Sequence, residues 1–163
     1  MFKIGDFAIH KTAGACIIAD IVNRDFGNGE ISYYFLKPKF PNSMNKSLEI
    51  YLPLDKEAIF IRKPLSKNEV IELIHSIPAM DVYWISDAKT RKLKFEEIYQ
   101  SGNIKNLCQL VKLLYKENEI TTKPMSLTDR TFLNKIKTHI FDEFAVALDI
   151  LPTEVEAYVE QFL

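Results

Sequence analysis

Pro64 divides this 163-residue sequence into two segments with different hydrophobic periods. Before it, apolar and polar residues tend to alternate, the period of a strand with one buried face. After it, apolar residues recur three and four apart, the period of one helix face. A chain whose strands all precede its helices cannot interleave them into βαβ units. The class open to it is α+β, as two domains or two packed subdomains, with expected bounds of 1–63 and 64–163.

In residues 3–21, KIGDFAIHKTAGACIIADI, Phe7 and Ile9 alternate with Asp6, Ala8 and His10. A small-residue turn follows at 11–14, and Ile17, Ala19 and Ile21 alternate again. Asn28-Gly29 is a strong turn signal before a third strand at 32–37, SYYFLK, which Pro38 and Pro41 end. Leu48, Ile50 and Leu52 mark a fourth strand, and residues 58–62, AIFIR, a fifth. Short strands with no helix between them favour a small antiparallel barrel, SH3-like or Tudor-like.

Beyond Pro64 the helix signals are local. Ser66 and Glu69 form a capping box ahead of Val70, Ile71, Leu73 and Ile74. Residues 81–99 are expected to be helical, interrupted early. Gly102 suits a left-handed helix end, and Asn103 the next N-cap. Ile104, Leu107, Val111 and Leu114 then share one face. Ser126 or Thr128 caps a long helix carrying Phe132, Leu133, Ile136, Ile140, Phe144 and Leu148. Pro152 breaks it, and Thr153 with Glu156 reads as a further capping box.

No reaction chemistry stands out. His10, His75 and His139 are scattered, and neither paired-cysteine metal spacing nor a phosphate-binding glycine loop is present. Paired carboxylates such as Glu96-Glu97 and Asp142-Glu143 fall on helices with basic neighbours, where intrahelical pairing explains them. The expectation is a protein that is not an enzyme, with no metal, cofactor or small-molecule substrate. Cys16 and Cys108 read as buried thiols of a reducing compartment. No apolar run approaches a membrane span, and MFKIGD is not a signal sequence, so a cytoplasmic protein is expected.

Net charge is −1, which excludes a wholesale basic nucleic-acid binder but not a local basic face. Residues 64–163 carry 12 Lys/Arg against 15 Asp/Glu. A third of those cations, Lys89, Arg91, Lys92 and Lys94, lie together just after Trp84, the only tryptophan. A second set, Arg130, Lys135 and Lys137, lies on the long helix. Such cations suit phosphate contact; an ordinary solvated face with Trp84 in the core is the competing reading.

Order and spacing along the whole chain resemble the CarD-like (CarD/CdnL) bacterial transcription regulators. Their N-terminal domain is similar to the RNA-polymerase-interacting domain of the transcription-repair coupling factor. The resemblance rests on Phe2-Lys3-Ile4-Gly5-Asp6, Gly14 with Ile17-Ile18-Ala19-Asp20-Ile21, and Tyr33-Tyr34-Phe35-Leu36-Lys37. It continues through Leu52-Pro53, Arg62-Lys63-Pro64-Leu65-Ser66-Lys67, Leu113-Leu114-Tyr115 and Asp142-Glu143-Phe144-Ala145-Val146-Ala147-Leu148.

The resemblance implies that the barrel binds the RNA polymerase β subunit. It also implies that the helical domain contacts promoter DNA at the upstream edge of the melted region, largely without reading sequence, and stabilises the open complex. By position, the polymerase-facing residues are Arg24 and Tyr51, with Phe26 and Glu49 beside them. Tyr51 stands where some members have a second arginine. Trp84 matches the tryptophan that wedges at the bubble edge, with Lys89, Arg91, Lys92, Lys94, Arg130, Lys135 and Lys137 as DNA contacts. The basic residues here start later after Trp84 than in the best-known pattern. A polymerase-binding adaptor with little DNA contact is the alternative, which the acidic helical half favours.

Overall fold

The computed structural model describes every residue except Asn28, and the expected Asn28-Gly29 turn therefore lies partly outside the described residues. The chain forms two compact units, Met1–Pro64 and Leu65–Leu163.

The first unit is an antiparallel sheet of five strands: β1 (Phe7–His10), β2 (Gly14–Asp25), β3 (Glu30–Pro38), β4 (Ile50–Pro53) and β5 (Ile61–Arg62). Their order is β4-β3-β2-β1-β5. Antiparallel pairing agrees with the sequence reading, but the expected closure into a barrel is not shown among the described residues. Among the described residues β4 and β5 are two separate edges. The expected fifth strand is also shorter. Glu57–Phe60 turns as a short helix, α1, leaving only Ile61–Arg62 extended. The Glu57 carboxylate accepts from the Tyr34 hydroxyl at 2.5 Å and lies 3.2 Å from the Met1 amine, which fixes this turn against the sheet.

One face of the sheet is the core: Phe2, Ala8, Cys16, Ile18, Tyr34, Leu36, Leu52 and Ile61. A bulge between Ile18 and Asp20 shifts the β2 register, so Ile18 faces Leu36 but Asp20 faces Phe35. Directly opposed residues point to the same side. Beyond the bulge, Asp20, Val22 and Arg24 therefore share the face of Phe35, Tyr33 and Ile31, away from buried Tyr34 and Leu36. The bulge is what sends Arg24 outward.

The second unit is helical: α2 (Lys67–Ser76), α3 (Ala88–Ser101), α4 (Ile104–Ile120), α5 (Leu127–Leu148) and α6 (Pro152–Val159). The Ser66–Glu69 capping box forms, Gly102 is left-handed at φ 65°, and Asn103 and Ser126 cap α4 and α5. Two expectations are corrected. Residues 81–87 are not helical; α3 starts only after Asp87, whose carboxylate accepts the Thr90 amide. The last helix is closed at its start by Glu154 accepting the Leu151 amide at 2.8 Å, not by Thr153, which lies inside it. Pro152 at its first position needs no amide partner. The helix α5 lies at the centre of the unit. Its second half is buried from His139 through Ala145, and it packs against α2, α3, α4 and α6. No helix among the described residues is long and apolar enough to cross a membrane.

Candidate functional site

The outer face of β2-β3-β4 carries an aromatic cluster. Phe26, 59% exposed, meets Tyr33 edge-on at 5.1 Å between ring centroids and Tyr51 at 5.5 Å. Tyr51 stacks on Phe35 at 4.9 Å, as its cross-strand pairing with Phe35 requires. The Lys37 ammonium lies 5.0 Å from the centre of the Phe35 ring. Arg24 is exposed, opposite Ile31, on this same face. Register thus brings together Arg24, Phe26 and Tyr51. Glu49 is exposed and lies one residue ahead of β4, outside the ladder. Phe35 and Lys37 belong to this surface, and Tyr33, itself buried, packs against Phe26 within it; none was singled out as a site residue from sequence, although their alternation in SYYFLK carried the signal. Burial on one side and rings on the other suit a sheet that docks: aromatic groups present large contact area at little entropic cost. β4 is an edge strand beside this face, open to strand addition.

The helical unit arranges its expected site residues differently from a single strip. Successive helix residues turn by about 100°, so Lys92 and Lys94 point roughly 200° apart around α3. Lys94 lies 3.0 Å from Glu97. Lys89 and Lys92 are exposed, with no ion pair among the described residues. On α5, Arg130 is exposed, while Lys135 lies 3.9 Å from Glu96 and 3.8 Å from the centre of the Tyr99 ring. Lys137 turns to the other flank and pairs with Glu156 and Tyr115. Burial alone would lower its pKa, but these partners outweigh it and hold the ammonium above its usual value.

Arg91 is the correction. It is buried rather than presented: Nε donates to Asp129 Oδ1 at 3.2 Å and Nη2 to Oδ2 at 2.9 Å. Nη1 donates to the Ile85 carbonyl at 2.8 Å and the Ser86 carbonyl at 3.3 Å. With this geometry satisfied the guanidinium is not available to a phosphate. Burial pushes the Asp129 carboxyl up, but hydrogen bonds from Arg91 and Ser126, with the Arg91 charge, bring it below its ordinary value. Trp84 is half-buried, and its ring centre lies 4.4 Å from the Arg91 guanidinium carbon. It is neither a sealed core residue nor a free side chain.

An antiparallel sheet with a buried inner face, aromatic rings on its outer face and an open edge has the geometry that suits protein docking. Residues 2–65, almost the whole of this unit, match the CarD-like/TRCF RID domain. The match ends where the helical unit begins. No curated protein matches the chain.

Proposed function

We propose that the protein is a cytoplasmic transcription regulator that docks on the RNA polymerase β subunit through its N-terminal sheet. The helical unit then contacts promoter DNA near the upstream edge of the bubble and stabilises the open complex. The observation that carries this reading is the match of residues 2–65 to the CarD-like/TRCF RID domain. The outer face with Arg24, Phe26 and Tyr51 supports it, because Arg24 and Phe26 are exposed and Tyr51 is half-buried beside them. Glu49 flanks that face. On the DNA side, Trp84 acts as the aromatic wedge and Lys89, Lys92 and Arg130 as phosphate contacts, gripping the backbone without reading bases. Lys94, Lys135 and Lys137 contribute less, since each already has an acidic neighbour.

A second reading is an adaptor that binds polymerase with little DNA contact. The internal pairing of Arg91, Lys94, Lys135 and Lys137 favours it, because it takes four cations out of a unit that is already acidic. The docking surface is tested with the double variant Arg24→Glu, Tyr51→Ala. Affinity for the isolated β subunit should fall at least tenfold, the loss of about 1.4 kcal/mol, with the melting temperature held. Unchanged affinity in the folded variant would remove this face as the interface.

A further inference from the structure

One guanidinium organises the surroundings of the only tryptophan. Arg91 joins three things: the α5 carboxylate of Asp129, the carbonyls of Ile85 and Ser86, and the Trp84 ring. The two carbonyls belong to the residues that immediately follow Trp84. Farther back, Lys112 Nζ donates to the Pro78 and Met80 carbonyls, each at 2.7 Å. The segment between α2 and α3 is therefore tied to α4 before Trp84 and to Arg91 after it. Asp129 is in turn fixed by Ser126, whose hydroxyl donates to Oδ2 at 2.7 Å.

We propose that Arg91 is a positioning residue for Trp84 and not a DNA contact. The ion pair with Asp129 holds the guanidinium plane. That plane supports one face of the indole and fixes the peptide groups next to it, so the ring is presented in a set orientation. This rests on the reading of Trp84 as the wedge. Arginine is suited to the task and lysine is not. A planar fork can satisfy a carboxylate, two carbonyls and a ring face together, whereas an ammonium has no plane to offer. The neutralising carboxylate also removes the pull of a phosphate on Arg91, which would otherwise draw the support away from the ring.

The test uses the full chain with RNA polymerase and a promoter, reading the lifetime of competitor-challenged open complexes. Arg91→Lys and Trp84→Ala should each remove most of the protein's stabilising effect, by about tenfold if one base–aromatic stack is lost. The double variant should lose no more than Trp84→Ala alone, since Arg91 acts through Trp84. An equal further loss in the Trp84→Ala background would overturn the proposal. So would a full effect for Arg91→Lys where Trp84→Ala has lost it. The lone tryptophan supplies a second readout: acrylamide quenching of its fluorescence should rise in Arg91→Lys, and unchanged quenching overturns the proposal. If Trp84→Ala leaves promoter lifetimes intact, the wedge reading fails, and the quenching result alone judges the positioning. Should Arg91→Lys not fold, the near-isosteric Asp129→Asn takes its place in both measurements.

Discussion

Asp142 shows how a single carboxyl couples this fold to pH. It lies on the buried half of α5, 6% exposed, and burial lifts its carboxyl to about 7. An aspartate in an unfolded chain titrates near 3.9. Between those two values the folded state keeps a proton that the unfolded chain has released. Stability contributed by this group is therefore greatest below about pH 4, falls as pH rises, and has gone by about pH 7, with an upper bound of about 4 kcal/mol. Asp142→Asn cannot ionise and should flatten that dependence. It should melt well above the natural protein at about pH 8, with the gap closing near pH 4. Thermal unfolding at both pH values checks this, and an unchanged gap across the range would mean that Asp142 ionises freely in the fold. Arg91 and Asp129 are buried together and solve the same problem by pairing.

At the scale of elements, α3 and α5 sort their cations by flank. A run such as Lys89 to Lys94 is continuous in sequence, but a helix distributes it around a cylinder. Lys89 and Lys92 remain exposed, Arg91 turns into the unit, and Lys94 meets Glu97. Replacing Lys89 and Lys92 by Ala should lower the slope of log DNA affinity against log salt by up to roughly 0.9 per lost contact. Replacing Lys94 and Lys137 should change it little, since both cations are already paired. DNA binding titrated over a range of salt concentrations decides between them; equal slopes in the two double variants would remove the sorting. What the sequence made legible here follows the range of each interaction. Ser66, Gly102, Asn103 and Ser126 mark helix ends through partners within a few residues, and those ends were readable. The partner of Arg91 is 38 residues away, so its burial was not. The β2 bulge and the turn at Glu57 likewise depend on partners in other elements, which alternation alone cannot reveal.

At the scale of the molecule, the two units divide the labour that the proposed function needs. The unit Met1–Pro64 contains a complete inner core, from Phe2 and Ala8 to Leu52 and Ile61, within its own residues. The unit Leu65–Leu163 likewise holds α5 inside its own helices. A fragment of residues 1–64 is small, and burial of so short a chain leaves a modest stability margin, so it should fold with a lower melting temperature than the full chain. The proposed docking face nevertheless lies wholly within it: Arg24, Phe26, Phe35 and Tyr51 all belong to it. The fragment should therefore capture the RNA polymerase β subunit with an affinity within about tenfold of the full chain, because the proposed interface is unchanged. Residues 65–163 alone should capture no β subunit, yet keep whatever salt-dependent DNA binding the full chain has. A pull-down with each purified fragment, preceded by circular dichroism to show that each is folded, makes the comparison. Capture of the β subunit by folded 65–163 and not by folded 1–64 would reverse the assignment of the two units.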